Sequence, residues 1–367
     1  MLFTGLLLVL VLFTDVAVAD DVRWPAWERF RDTLISDNGR VIDRSDPRHI
    51  TTSEGQSYAL FFSLVADDRD TFQQLLDWTQ NNLAKGDLGV TLPGWLWGRR
   101  ENGDWNVLDA NSAADADLWL AYTLLEAGRL WQRRDYRVLG IRLAARIADA
   151  EVAALPGFGK LLLPGREGFV DDDAWRINPS YLPPQLLTRL SMLGEPWPAV
   201  AANTPRLLIA SAPQGLAPDW TRWTPDSGWG PDPQHASQGD YDAIRVYLWL
   251  GMLANGADRR EALLAHFTPM RRLVAELGAP PEHVDARSGT HQGIGNSAFS
   301  AALLPFLAAT PGDDAPLAAA QRQRLAADPP VDDAYYSQVL TLFGRGWDEG
   351  RYRFAADGRL QPAWRAP

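Results

Sequence analysis

Hydrophobic residues recur along most of this chain at the three- and four-residue spacing that places them on one face of an α-helix. The periodic segments predict twelve helices, at 24–35, 53–65, 71–83, 113–131, 136–148, 181–193, 197–209, 241–254, 259–277, 296–307, 316–326 and 333–343. In the segment 351–364, a short pair of strands is predicted to turn at Asp357 and Gly358. The pattern therefore predicts a fold built almost wholly from helices.

Long connections rich in glycine, proline and tryptophan separate some of these helices, at 88–111, 156–179 and 212–240. Connections of this length in a compact domain are usually functional. No internal repeat, linker or low-complexity segment divides the chain, so successive helices are expected to pair in antiparallel fashion within one domain. We therefore predict an all-α toroid whose helices alternate between an inner and an outer ring, with the long connections forming a groove on one face.

Three of the predicted helices begin with carboxylates. Glu54 follows Ser53, the predicted N-cap of the second helix; Asp115 and Asp117 open the fourth; and Asp242 opens the eighth. Helix capping and the helix dipole can explain each acid singly. If the helices alternate between two rings, however, all three even-numbered helices present their acids on one ring and one face. Paired carboxylates in an aromatic groove are what glycoside hydrolysis requires.

The two aspartates of the fourth helix, Asp115 and Asp117, are two residues apart, so they are expected to point in well-separated directions. Capping and dipole effects account easily for one of them but not for both. In the eighth helix, Asp242 and Arg245 are three residues apart and can face one another. Either an ion pair on the surface or a functional contact is consistent with that spacing.

Composition excludes several kinds of function. The 46 acids and 35 Lys and Arg residues give a net charge of −11, which argues against nucleic acid as the main partner. The 16 tryptophans indicate either an aromatic-rich core or a carbohydrate-binding cleft. The chain has no cysteine, and its five histidines lack metal-ligand spacing. With no phosphate-binding loop or nucleophile elbow either, we expect no metal and no cofactor.

The first 19 residues are predicted to form a secretory signal peptide. An apolar run at 6–13 precedes the small-residue cleavage pattern Ala17-Val18-Ala19, and the run is too short for a comfortable membrane span. The segment before the run has no Lys or Arg, so an uncleaved anchor or a misassigned start is an alternative. Cleavage would leave 20–367 as a single catalytic domain with no stable membrane span.

Three motifs resemble those of glycoside hydrolase family 8. The segment 112–131, beginning Ser-Ala-Ala-Asp-Ala-Asp, is similar to the family signature, although Ala114 stands where Ser or Thr is usual. The segments 53–58 and 241–245 resemble the general-acid and general-base motifs, in the right order. More narrowly, 39–43, 51–59 and 241–249 are similar to the branch of periplasmic endo-1,4-β-glucanases encoded with bacterial cellulose synthase.

This resemblance implies an (α/α)6 barrel and an inverting endo-1,4-β-glucanase. Glu54 would be the general acid and Asp242 the general base. The resemblance also implies five substrate-binding residues. Asp115 would bind the sugar beside the cleaved bond, and Arg245 and Tyr241 would orient the base and the water. Tyr181 would make a further contact, and Trp97 would be a platform for glucosyl units.

The same resemblance implies a periplasmic or secreted protein acting on a β-1,4-glucan chain, either cellulose or cello-oligosaccharides, with the cellulose synthase complex as a candidate partner. Two alternatives are kept. The substrate could be another β-glycan, such as xylan, mixed-linkage glucan or chitosan, or the protein could be a non-catalytic subunit that guides a glucan. A helical-toroid lyase or prenyl cyclase finds no supporting motif in the sequence.

Overall fold

The computed structural model describes residues 23–309 and 315–365, so the predicted signal peptide at 1–19 lies outside the described residues. Thirteen α-helices lie in the described part of the chain. They are α1 Pro25–Leu34, α2 Ser53–Val65, α3 Arg69–Leu83, α4 Ala114–Leu130, α5 Arg134–Glu151, α6 Pro184–Ser191, α7 Trp197–Ala210, α8 Ile244–Gly251, α9 Arg260–His266, α10 Thr268–Leu277, α11 Ser297–Ala309, α12 Ala315–Ala327 and α13 Tyr335–Asp348. None of the helices in these two ranges has the length and apolar character that a membrane span needs.

The helices form two concentric rings. The inner ring runs α2, α4, α6, α8, α11, α13, each packed against the next. Aromatic contacts close it, because Phe343 of α13 lies against Tyr58 and Phe62 of α2 with ring centroids 5.0 and 4.6 Å apart. The outer ring is formed by α1, α3, α5, α7, the pair α9 and α10, and α12, each packed on an inner helix. The protein is thus an (α/α)6 barrel, as predicted.

Burial explains which helices are inside. In α2, every residue except Glu54 is buried, and α4, α8 and α11 are likewise buried nearly all round. The outer helices α3 and α5 bury only one face. A helix that is apolar on all sides belongs in the middle of a large core, whereas an amphipathic helix covers it. The prediction that the second, fourth and eighth helices share a ring is confirmed.

Aromatic rings fill the middle of the barrel. Trp119 of α4 contacts Phe61 at 4.8 Å, Phe343 at 5.1 Å and Trp249 of α8 at 5.4 Å between ring centroids. All four side chains are buried. A substantial part of the tryptophan content therefore serves the core, and two tryptophans of the first long connection, Trp95 and Trp105, are exposed.

The long connections contain β-structure that the sequence analysis did not predict. The described residues hold fourteen strands: β1 Thr51–Thr52, β2 Leu96–Arg99, β3 Trp105–Asp109, β4 Val152–Leu155, β5 Gly159–Leu162, β6 Val170–Asp171, β7 Ala174–Ile177, β8 Thr221–Thr224, β9 Gly228–Pro231, β10 Gln238–Gly239, β11 His283–Asp285, β12 His291–Gln292, β13 Tyr352–Phe354 and β14 Leu360–Pro362. They pair antiparallel in the orders β1-β2-β3, β4-β5, β6-β7-β8-β9, β10-β11-β12 and β13-β14. Strands of two to five residues are too short for a clear alternating pattern. The predicted C-terminal pair, β13 and β14, is confirmed.

Proline accounts for two wrong helix boundaries. The helix predicted at 181–193 begins only at Pro184, because a residue that precedes proline disfavours the helical conformation and Pro183 and Pro184 stand together. The helix predicted at 259–277 is two helices, α9 and α10, which break at Phe267 just ahead of Pro269. Proline has no N–H for the helical ladder, so the chain restarts there.

The inner helices α11 and α13 approach so closely that one position requires glycine. A Cβ atom added at Gly344 would lie 1.8 Å from the carbonyl oxygen of Ala301. Substitution Gly344→Ala should therefore force the helices apart and cost about 3 kcal/mol or more of folding free energy. We expect a midpoint of thermal unfolding several degrees lower than that of the wild-type protein. In Gly230→Ala the new methyl group meets open space, so equal midpoints for the two variants would contradict this packing.

Candidate active site

Arg245 brings the three predicted acids together. It lies in the first turn of α8, and its side chain is buried. Its Nη1 atom donates to Glu54 Oε2 at 2.6 Å and to Asp115 Oδ2 at 3.2 Å, and its Nη2 atom donates to Asp242 Oδ1 at 2.5 Å. The hydroxyl of Tyr58 lies 2.8 Å from Nη1. One guanidinium therefore fixes all three carboxyl groups. The prediction that Asp242 and Arg245 can face one another is confirmed.

Glu54 lies in the first turn of α2, and its carboxyl group is partly exposed. The cap of this helix is Thr52, whose side chain accepts the N–H of Gly55 at 3.1 Å. The prediction that Ser53 is the cap was wrong, because Thr51–Thr52 pairs as β1 with β2 and the extended backbone ends one residue earlier. On its other side, Glu54 Oε1 faces the hydroxyl of Tyr335 at 3.4 Å.

Asp115 and Asp117 leave α4 in different directions, as predicted. Asp115 points to Arg245, whereas Asp117 faces the carboxyl group of Glu151 of α5. Ser112 donates to Glu151 Oε1 at 2.5 Å. Neither aspartate is the N-cap, which is Ala113. Burial raises the pKa of Glu151 to about 8 and that of Asp117 well above its ordinary range, so this second pair keeps at least one proton at neutral pH.

Asp242 lies in a turn just before α8, since the helix predicted at 241–254 begins only at Ile244. Its Oδ1 atom is bonded to Arg245, and its Oδ2 atom accepts the side-chain N–H of Asn178 at 2.9 Å. The side chains of Asp242 and Glu54 are 29% and 21% exposed, whereas that of Asp115 is 2% exposed. The carboxyl groups of Asp242 and Glu54 are thus partly open to a ligand, and that of Asp115 is buried.

The cluster carries more acid than its single arginine neutralises. Burial, and then the charge of Glu54, raises the pKa of Asp115 to about 7, although Arg245 works in the opposite direction. Glu54 and Asp115 both bond to one nitrogen of Arg245, so a proton on Asp115 lies directly beside the Glu54 carboxyl group. With a pKa of about 7, Asp115 is partly protonated at neutral pH.

Aromatic side chains lie on both sides of the acid cluster. On the Glu54 side, β2 pairs with Thr51–Thr52 and carries Trp97, which stacks on Trp105 with ring centroids 5.1 Å apart. The guanidinium of Arg40 lies 4.4 and 4.7 Å from these two rings. Trp97 is only 9% exposed, whereas Trp105 is 46% exposed. Trp105 is therefore the more exposed of the two indoles, and the prediction that Trp97 is a platform for glucosyl units stays a prediction.

On the Asp242 side, the aromatic groups meet at Tyr181. The guanidinium carbon of Arg245 lies 5.5 Å from the Tyr181 ring, and Tyr181 contacts Trp220 at 6.2 Å. Trp220 in turn stacks between Phe169 and His235, with interplanar angles of 8° and 20°. Tyr181 is therefore at the cluster as predicted, and the long connections supply aromatic surface beside it.

Tyr241 is adjacent to the cluster in sequence, but its ring packs elsewhere. It lies 5.1 Å from the ring of Phe299 and 6.1 Å from that of Tyr336, whose hydroxyl donates to the Tyr241 carbonyl oxygen. The prediction that Tyr241 orients the base stays a prediction.

Sequence reasoning missed three residues that contact the cluster. Tyr58 lies four residues after Glu54 on the same helix. Residues at this spacing are neighbours on one helix face, so the contact of Tyr58 with the cluster could have been predicted. Asn178 lies three residues before Tyr181 in a segment that was singled out only for the tyrosine. Tyr335 is 281 residues from Glu54, and no local pattern connects them.

Comparison with known proteins decides the family. The model of glycosyl hydrolases family 8 matches residues 4–350. The chain belongs to glycosyl hydrolase family 8. An endoglucanase of Escherichia coli O157:H7 is 49% identical over 98% of this chain and 96% of its own length, and one of Xanthomonas axonopodis pv. citri is 50% identical over 94% and 90%. The crystal structure of an endo-1,4-D-glucanase from Vibrio fischeri ES114 has a TM-score of 0.89 at 43% identity and covers 93% of this chain and 99% of that one.

This family-8 protein is a glycoside hydrolase. Its predicted motifs, 53–58, 112–131 and 241–245, supply the three acids that Arg245 collects. The family assignment and the acid cluster thus agree on hydrolysis of a glycosidic bond, for which two carboxyl groups on either side of a sugar are the usual requirement.

Proposed function

We propose that this protein is an endo-1,4-β-glucanase that cleaves internal bonds of a β-1,4-glucan with inversion at the anomeric carbon. The observation that carries the proposal is the arrangement of Glu54 and Asp242 around Arg245. The two carboxyl groups are bonded to different nitrogens of one guanidinium, and both remain partly exposed. An inverting glycoside hydrolase uses such a pair of carboxyl groups, one as acid and the other as base for a water molecule.

In this scheme, Glu54 is the general acid and Asp242 the general base. Glu54 gives its proton to the glycosidic oxygen as the bond from that oxygen to C1 breaks. A water molecule attacks C1 from the opposite face, and Asp242 takes the proton that the water loses. The products are a new reducing end and a new free hydroxyl, with Glu54 ionised and Asp242 protonated until they exchange protons with solvent. Asn178 and Arg245 fix both oxygens of Asp242 for this step.

Asp115 has two parts in the proposal. As a buried carboxyl group whose pKa is raised to about 7, it keeps a proton beside Glu54 near neutral pH. The resemblance to the family implies that it also contacts the sugar bound between the acid and the base. We expect it to hydrogen-bond that sugar and favour its distortion.

The substrate is proposed to be cellulose or cello-oligosaccharides. The relatives named above are endoglucanases, and the family-8 structure from Vibrio fischeri ES114 is that of an endo-1,4-D-glucanase. Aromatic groups lie on both sides of the acids, with the exposed Trp105 on one side and the half-buried Trp220 on the other. Flat sugar faces pack on such rings. Trp97, which stacks against Trp105, is proposed as a further platform for glucosyl units.

Export and assembly complete the proposal. A cleavable signal at 1–19 would deliver a single catalytic domain, 20–367, to the periplasm or the medium. There the protein would trim glucan chains during cellulose biosynthesis, with the cellulose synthase complex as a partner. The supports for this part are the signal-like sequence at 1–19 and the resemblance of 39–43, 51–59 and 241–249 to the corresponding branch of the family.

A panel of glycans tests the substrate. We expect the protein to release reducing ends from carboxymethyl-cellulose, together with a rapid fall in viscosity, because an endo-acting enzyme cuts inside the chain. Release should be at least about tenfold slower with xylan and chitosan, because a groove shaped for glucosyl units loses contacts with a different sugar. Faster cleavage of xylan, mixed-linkage glucan or chitosan would reassign the substrate. Binding without cleavage would indicate a glucan-guiding subunit.

A further inference from the structure

Asp219 lies directly behind the turn that carries Asp242, and it is only 7% exposed. Its Oδ1 atom accepts the backbone N–H of Asp240 at 2.8 Å and that of Ala243 at 2.7 Å. Its own backbone N–H donates to the carbonyl oxygen of Gln238 at 2.8 Å. Because the two accepted bonds come from residues on either side of Asp242, one carboxyl group holds both ends of the turn.

The segment that carries Asp219 is itself tied to α8. The N–H of Ala217 donates to the hydroxyl of Tyr247 at 2.9 Å. A Cβ atom at Gly239 would lie 2.0 Å from the carbonyl oxygen of Ala217, so the two segments pack at backbone contact and glycine is required there. Ala243, the N-cap of α8, offers no capping side chain. Asp219 therefore satisfies an N–H at this helix end that would otherwise lack a partner.

The Asp219 carboxyl is also hydrogen-bonded to the Asp240 carboxyl, so one of the two must carry a proton. Burial, and then the charge of Asp242, raises the pKa of Asp219 to about 8. Burial acts on Asp240 too, but hydrogen bonds from Asp219, Gln238 and the N–H of Tyr241 hold the pKa of Asp240 below its ordinary value. The proton therefore belongs to Asp219, whose free oxygen donates it to Asp240.

A neutral Asp219 is fully satisfied in this position. Its unprotonated oxygen accepts two N–H groups, and its protonated oxygen donates to Asp240. The titratable groups that face it are Asp240 and Asp242 from the turn, Tyr247 from α8, Tyr336 from α13 and, by way of Asp240, His283 from β11. Loss of the proton would break the bond to Asp240 and place a second negative charge beside Asp242.

We propose that Asp219, as a neutral carboxylic acid, is a positioning residue for the general base, because it fixes the turn that aims Asp242 at the attacking water. The inference rests on the proposed role of Asp242. It assigns Asp219 a function in the reaction without contact with the sugar, through backbone hydrogen bonds on both sides of the base and a proton donated to Asp240.

Two substitutions separate the parts of this proposal. Asp219→Asn keeps an oxygen that accepts both N–H groups and an N–H that donates to Asp240, but it cannot ionise. Asp219→Ala removes all three bonds. With cellopentaose near neutral pH, we expect Asp219→Ala to lower kcat about tenfold or more with KM within about twofold, because the turn moves while the sugar contacts stay. We expect Asp219→Asn to restore kcat to within about threefold of wild type, since it reforms these bonds.

The pH dependence supplies a readout that a purely structural residue would not change. Asp219 is neutral below its pKa of about 8 and ionises above it, so this ionisation should add a further loss of wild-type kcat above about pH 8 to the loss that follows ionisation of Asp115, whose pKa is about 7. In Asp219→Asn the further loss should be absent, so the basic limb should fall less steeply than that of the wild type. Basic limbs of equal slope in Asp219→Asn and in the wild type would overturn the proposal, even if Asp219→Ala does not fold.

Two controls complete the experiment. Asp68 caps the outer helix α3 by accepting the N–H of Thr71, so Asp68→Ala should lower thermal stability and leave kcat and its pH dependence unchanged. Wild-type kcat in Asp219→Ala would contradict the positioning role. Asp242→Asn, measured in the same assay, separates the role of the base from the role of Asp219. Full activity in Asp242→Asn refutes the proposed base. An inactive Asp242→Asn together with an unaffected Asp219→Ala refutes only the inference about Asp219.

Discussion

Substitution Glu54→Gln is expected to reduce hydrolysis of cellopentaose by about a thousandfold or more, because a glycosidic oxygen is a poor leaving group without a proton donor. The glutamine has the same shape, and its side-chain oxygen can still accept the Nη1 hydrogen bond that Arg245 now gives Glu54 at 2.6 Å. The fold should therefore persist, with an unchanged circular dichroism spectrum and a thermal midpoint close to that of the wild type. The change removes the transferable proton and little else.

The leaving group supplies a control for this prediction. A glucoside with an activated aryl leaving group needs little protonation, so Glu54→Gln should lose much less activity on an aryl cello-oligosaccharide than on cellopentaose. Asp242→Asn lacks the base and should lose activity on both substrates. A Glu54→Gln variant that hydrolyses cellopentaose at the wild-type rate would refute the assignment of the acid.

Substitution Arg245→Met is expected to damage both catalysis and stability. The methionine fills similar space, but it leaves Glu54, Asp115 and Asp242 without the cation that all three share. Removing one partner of a buried ion pair costs about 3–5 kcal/mol. We expect kcat to fall about a hundredfold or more, because the acid and the base lose the group that sets their spacing. Thermal unfolding and steady-state kinetics measure the two effects.

A second buried ion pair distinguishes these two effects. Arg189 donates to Glu126 at 2.7 Å, and Glu126 is buried. Arg189→Met should lower the thermal midpoint without lowering kcat, since neither residue contacts the acid cluster. If Arg189→Met and Arg245→Met lost activity equally, the loss would reflect general destabilisation, and Arg245 would have no special part in the site.

The ring arrangement could be predicted from the sequence because it depends on local patterns. Helical periodicity marks each helix, and successive helices within one domain are expected to pair in antiparallel fashion, which makes them alternate between an inner and an outer ring. From that alternation alone, Glu54, Asp115 and Asp242 were predicted to share one face. The structure confirms it, since all three carboxyl groups bond to Arg245.

The contacts within the site could not be predicted, because they cross the barrel. Arg245 and Glu54 are 191 residues apart, and Tyr335 and Glu54 are 281 apart. The three-residue spacing predicted a contact of Arg245 with Asp242 alone. It gave no sign that the same guanidinium also reaches α2 and α4, or that Asp219 supports the turn before α8 from another connection.

Local errors at the site have a common physical origin. The cap of α2 is Thr52 rather than Ser53, and α8 begins at Ile244 rather than near Tyr241. In both places a short strand or turn held by distant residues sets where the helix begins, through β1 pairing in the first case and the hydrogen bonds of Asp219 in the second. Such tertiary contacts override the local capping preference.

The most direct test of the proposed mechanism is proton NMR of the products in the first moments of cellopentaose hydrolysis. With Glu54 as acid and Asp242 as base on opposite faces of the sugar, water replaces the leaving oxygen with inversion, so each new reducing end should appear first as the α-anomer and then mutarotate. Initial appearance of the β-anomer would indicate a covalent intermediate and retention, and it would contradict the roles proposed for both carboxyl groups.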